Sequence, residues 1–125
     1  MKAILCKEFG PISDLVWGEV PDPVAGPNEV VIDVRAAGLN YPDSLIVQGL
    51  YQFRPDLPFS PGHEGAGVVS AVGSEVSSLK VGDSVAFFKG FGAFAEKIAV
   101  NEALAFPIPS SFPHHVAAGV FMVYG

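Results

Sequence analysis

The chain is poor in cysteine, in positive charge and in long hydrophobic runs, and each shortage excludes a class of protein. Its single cysteine, Cys6, rules out an internal disulfide and a zinc site made of cysteines alone. Only seven of the 125 residues are Lys or Arg, against 13 Asp or Glu. With a formal net charge of −6 and no basic stripe, the chain is not expected to bind nucleic acid.

The apolar stretches are too short for a membrane span or a secretory leader. Lys7 and Glu8 interrupt the apolar start, and the longest uncharged apolar segment, residues 116–125, falls well below the roughly 20 residues of a spanning helix. We therefore expect a cytoplasmic protein with no membrane partner. The same segment reads as a helix without a stop signal, which predicts that the chain is a fragment cut where a second domain begins.

What the chain has in quantity is glycine and proline within an apolar background. Half of the residues are hydrophobic, and 14 glycines and 11 prolines are spread without a period. This composition predicts one globular domain that is mainly β. A short helix is expected from Asn40, its N-cap, to Gly49, and a second from residue 110. Strands are predicted at residues 1–6, 15–20, 30–37, 65–72, 84–88 and 93–100.

Glycines are densest at residues 61–69, within a valine-rich run that begins with the pair His63 and Glu64. Such glycines indicate a strand that bends or lets another backbone approach. The two residues either take part in the chemistry of a site, or they are an ordinary surface or core histidine and a glutamate that hydrogen-bonds only to the backbone. A catalytic zinc would need a third donor. His114 and His115 are adjacent, so on a helix they point about 100° apart and do not share a metal.

Three further polar residues are candidates for a site. Asn40 and Asp43 have nearly the spacing of a capping box, and spacing alone favours that structural role. Alternatively, both side chains lie in a loop between a strand and a helix, within reach of a ligand. Tyr51, in an aromatic loop, is either an ordinary surface residue or a pocket wall whose phenol donates a hydrogen bond. The sequence around it does not decide between the two.

Four motifs occur in order along the chain: AGLNYPD at 37–43, PGHEGAG at 61–67, VGDSV at 81–85 and GAFAE at 92–96. Together they resemble the N-terminal, GroES-like catalytic domain of the medium-chain dehydrogenases and reductases. Within that superfamily, the whole chain resembles the zinc-free quinone oxidoreductase (zeta-crystallin-like) branch. The resemblance implies a partly open β-barrel with short helices, followed by a helix that leads to a Rossmann domain.

The resemblance also implies a site without metal. Zinc-dependent alcohol dehydrogenases have a cysteine ligand where this chain has Asn40, and a further cysteine would fall near Val120. Of the three ligands only His63 is present. The lobe that binds structural zinc would lie between Val85 and Gly92, where there is no room for it.

The implied chemistry is hydride transfer from NADPH to a quinone or an α,β-unsaturated carbonyl. In the quinone branch, Asn40 is expected beside the nicotinamide and the substrate carbonyl, Tyr51 in the same cleft, and Asp43 as an acid common to both branches. Several relatives have a second tyrosine where this chain has Leu45, which leaves Tyr51 as the candidate phenol.

The dinucleotide is bound mainly by a separate Rossmann domain in the relatives, so the 125 residues alone are expected to be inactive. Relatives often dimerise through that other half, which leaves room for a homodimer of the full-length protein. Two alternatives stay open: a stand-alone GroES-like binding module without catalysis, and a zinc-type alcohol dehydrogenase relative, which Asn40 disfavours.

Overall fold

The computed structural model describes residues 1–38, 41–50 and 54–109, with only the backbone at residues 41 and 42. This part of the chain is mainly β, as the composition predicted. It has one short α-helix, α1 (Tyr41–Val47), and two 3₁₀ turns at Ile12–Asp14 and Glu102–Leu104. Its strands are β1 (Lys2–Leu5), β2 (Val16–Glu19), β3 (Glu29–Ala37), β4 (Glu64–Val72), β5 (Ser84–Phe88), β6 (Lys97–Asn101) and β7 (Ala105–Pro107).

Five strands form an antiparallel sheet in the order β6-β3-β4-β5-β7, and β1 and β2 form a separate two-stranded sheet. Irregular register between β3 and β4 bends the larger sheet. Its end strands, β6 and β7, do not pair with each other, so it is a partly open barrel, as expected. Alternate β-branched and aromatic side chains fill its interior, including Ile32, Val69, Val85, Phe87 and Val100.

Glycines in β4 allow the close backbone approach that the sequence predicted. A Cβ on Gly67 would overlap the carbonyl oxygen of Asp33, and one on Gly65 would lie 2.6 Å from that of Ala36. Any side chain at either position would push β4 away from β3. The close pairing of β4 with β3 therefore depends on both glycines.

Helix α1 packs on a second, smaller cluster. Ile46 and Val47 are buried there with Phe59 and with Cys6, which lies directly after β1. Gly49 ends the helix, as expected, with a φ of 73°. The Leu50 N–H donates to the Leu45 carbonyl and the Gly49 N–H to that of Ile46, which is a Schellman motif.

The strand predicted at 93–100 begins later, at Lys97. Gly92, with a φ of 107°, turns the chain, and the N–H groups of Ala93 and Phe94 donate to carbonyls of the 61–62 segment. The Ile4 N–H donates to the Phe94 carbonyl. Residues 93–96 therefore bridge the two sheets instead of extending β6.

Strand β7 was not predicted, because it is three residues long and ends in proline. The helix expected from residue 110 lies outside the described residues. No helix in the described part of the chain is long and apolar enough to span a membrane.

Candidate functional site

The side chains of His63 and Asp43 meet at the start of β4. His63 Nδ1 lies 2.7 Å from Asp43 Oδ1, and the two side chains are only 10% and 2% exposed. The hydrogen bond to Asp43 raises the pKa of His63 above its usual range, against burial, which lowers it. The negative charges of Asp43 and Glu64 add to the rise. With the carboxylate ionised, Nδ1 carries the proton of this hydrogen bond.

The elements around the pair hold both side chains in place. Helix α1 has Asp43 in its first turn, and the helix is anchored by the buried residues of its last turn. The carbonyl of His63 accepts a hydrogen bond from the N–H of Lys89 at 2.8 Å. The His63 ring also packs edge-on against Phe88, with ring centroids 5.8 Å apart. Both partners of the ion pair are therefore held in place by contacts with neighbouring elements.

Glu64 is in close contact with the end of β3. It is 1% exposed, and its backbone carbonyl accepts a hydrogen bond from the N–H of Gly38 at 3.1 Å. Its side chain fills the space beside Gly38, where an added Cβ would overlap the carboxylate. Gly38 was not predicted as a site residue, and it appeared only within the motif at residues 37–43. A glycine directly before a polar loop was the only local signal of this contact.

The structure brings together Gly38, Asp43, His63 and Glu64 around the junction between β3 and α1. Of the residues predicted for the site, Asp43 is described, and its carboxylate bonds to a histidine 20 positions away. The Asn40 and Tyr51 predictions lie outside the described residues. Leu45 is half-buried on α1.

The other histidines and Val120, which entered the zinc argument, also lie outside the described residues. In the part of the chain that the structure covers, no three His, Cys, Asp or Glu side chains are grouped as a metal site requires. The zinc-free site remains a prediction.

The fold agrees with comparisons to known proteins. Residues 26–110 match the alcohol dehydrogenase GroES-like domain. The chain belongs to this family. The resemblance to the quinone oxidoreductases of the medium-chain dehydrogenase and reductase superfamily is also confirmed. The chain is 36% identical over 124 residues to quinone oxidoreductase-like protein 2 of Rattus norvegicus, and the match covers 99% of this chain and 35% of that protein.

Two further comparisons extend this result. The synaptic vesicle membrane protein VAT-1 homolog of Rattus norvegicus is 43% identical over 102 residues, or 82% of this GroES-like chain and 25% of that protein. The crystal structure of Escherichia coli quinone oxidoreductase complexed with NADPH superposes with a TM-score of 0.89 at 31% identity, over 95% of this chain and 36% of that one. This chain therefore spans about a third or less of the length of these relatives.

Proposed function

We propose that the chain is the substrate domain of an oxidoreductase that transfers hydride from NADPH to a quinone or an α,β-unsaturated carbonyl. The observation that carries the proposal is the buried polar cluster at the β3–α1 junction, in a domain similar over 99% of its length to a quinone oxidoreductase-like protein. The Escherichia coli relative supports the choice of cofactor, since its crystal structure is a complex with NADPH.

The donor groups of this chain suit the uncharged end of the cofactor. An amide at Asn40 and a phenol at Tyr51 are neutral hydrogen-bond donors, which match a carboxamide or a quinone oxygen. The phosphates are a poor match for a chain with 13 acidic and seven basic residues. We assign phosphate binding to polypeptide outside the 125 residues, and we expect the chain alone to be inactive.

NADPH, when bound, supplies the hydride, and the residues of this chain orient the acceptor. We assign Asn40 to the nicotinamide and the acceptor carbonyl, and Tyr51 to the wall of the same cleft. Negative charge grows on the acceptor oxygen as the hydride arrives, and donors fixed in advance stabilise that charge. Asp43 acts one step away, because its carboxylate is buried and bonded to His63.

The proposal is tested by assaying the 125-residue chain and, where its reading frame continues, the longer product. Each is mixed with NADPH and a small benzoquinone or enone, and oxidation of NADPH is followed. We expect turnover by the longer product only. A longer product that neither binds NADPH nor reduces any acceptor would overturn the proposal in favour of a binding module. One equivalent of zinc in the purified protein would overturn the zinc-free assignment and favour the alcohol dehydrogenase alternative.

A further inference from the structure

We propose that His63 and Glu64 form a two-point clamp that fixes the end of β3 relative to the start of α1. His63 holds Asp43 in the first turn of the helix, and Glu64 holds Gly38 directly after the strand. Both are then positioning residues, because they act through other parts of the chain. The role of this junction in the reaction rests on the proposed function, whereas the clamp itself is a property of the described residues.

The base of the clamp is anchored on both sides. Glu64 pairs with Phe88 across the sheet, and the His63 carbonyl accepts from Lys89. Just before the pair, the carbonyls of Pro61 and Gly62 accept from the N–H groups of Phe94 and Ala93. Four consecutive residues are thus tied to neighbouring strands or bridges. A rigid base of this kind is what accurate positioning of a site requires.

The two contacts reach opposite ends of one short segment. Gly38 receives the backbone carbonyl and the side chain of Glu64, and Asp43 receives the imidazole of His63. Only four residues separate Gly38 from Asp43, and Asn40 is one of them. Fixing Gly38 and Asp43 relative to each other reduces the entropy that ligand binding at this junction must remove.

The clamp is tested by amide hydrogen exchange of the 125-residue chain, followed by NMR, in His63→Ala and in the conservative variant His63→Asn. The asparagine amide nitrogen replaces Nδ1 as the donor to Asp43. In His63→Ala we expect the amides of Gly38 and Ser44 to exchange about tenfold faster, the effect of losing one buried hydrogen bond. In His63→Asn most of the protection should return.

Val100→Ala is the matched control, because Val100 is a fully buried core residue on β6, away from the junction. It should destabilise the whole domain without a selective effect on Gly38 and Ser44. If His63→Ala changes these two amides no more than Val100→Ala does, the clamp is refuted. If His63→Ala does not fold, Asp43→Ala takes its place because it removes the acceptor, and unchanged protection of Ser44 in that variant refutes the clamp equally.

Failure of the clamp is distinguishable from failure of the proposed function. In the longer, active product, His63→Ala should lower kcat about tenfold or more, with a smaller change in KM, and His63→Asn should restore most of it. If His63→Ala speeds amide exchange at the junction but the longer wild-type product does not oxidise NADPH, the clamp is supported and the proposed enzymatic function is refuted. If His63→Ala leaves amide exchange unchanged and the longer wild-type product is active, the clamp is refuted and the proposed function is supported.

Discussion

The substitution Asp43→Ala removes the acceptor of a buried, charge-assisted hydrogen bond. The bond joins His63 Nδ1 and Asp43 Oδ1 at 2.7 Å, and the aspartate side chain is 2% exposed. Loss of one partner from a buried pair costs about 3–5 kcal/mol, because the other charge is left in an environment that solvates it poorly. We expect the lower end, about 3 kcal/mol, since water reaches part of the imidazole.

The loss of folding stability caused by Asp43→Ala should become smaller as the pH rises. Asp43 raises the pKa of folded His63 above the unfolded value of about 6.5. Stability from the charged pair is therefore fully present below about pH 6.5 and is lost as the pH rises through the folded pKa. Above that point the attraction between two charges is gone, and a hydrogen bond from the neutral imidazole to the carboxylate remains, worth about 1.5 kcal/mol. The difference between wild type and Asp43→Ala should shrink accordingly.

Urea unfolding followed by far-UV circular dichroism, near pH 6 and near pH 9, measures this difference. Asp56→Ala is the control, because Asp56 is exposed and its removal should change stability by less than about 0.5 kcal/mol at either pH. A difference for Asp43→Ala that is equal at the two pH values, or below about 0.5 kcal/mol at both, would refute the charged pair.

Three other substitutions test the fold and the proposed site. Gly67→Ala should cost more than about 2 kcal/mol in urea unfolding, because the added Cβ would overlap a backbone carbonyl oxygen of β3. Gly10→Ala is the control and should cost much less, because the atom nearest to its added Cβ is 3.6 Å away. Phe87→Ala should cost about 3–5 kcal/mol in the same assay, against under about 1 kcal/mol for Val72→Ala, which is 39% exposed. Asn40→Ala should lower kcat/KM of the longer, active product about a hundredfold, while the loss of the predicted helix cap should cost only about 1 kcal/mol in unfolding. Activity equal to that of the wild type would contradict the role assigned to Asn40.

Much of the sheet follows from local sequence. The run rich in β-branched residues at 30–37 and the valine-rich run at 65–72 are signals contained within one strand, and both strands form where they predict. Gly49 stops α1 because a left-handed residue is needed there, and glycine adopts that conformation without strain. The motif order likewise sufficed to predict the family.

The contacts at the β3–α1 junction depend on the tertiary structure. Spacing along the chain favoured a helix cap for Asn40 and Asp43, which remains a prediction because Asn40 lies outside the described residues, and it gave no sign that the Asp43 carboxylate bonds to His63, 20 residues away. Glu64 and Gly38 meet only because β4 pairs with β3 in one register. Side-chain periodicity reports which face of a strand is buried, but it carries no information about which distant segment lies against that face. That choice is made when the whole core packs, since only then is the free energy of each alternative pairing determined.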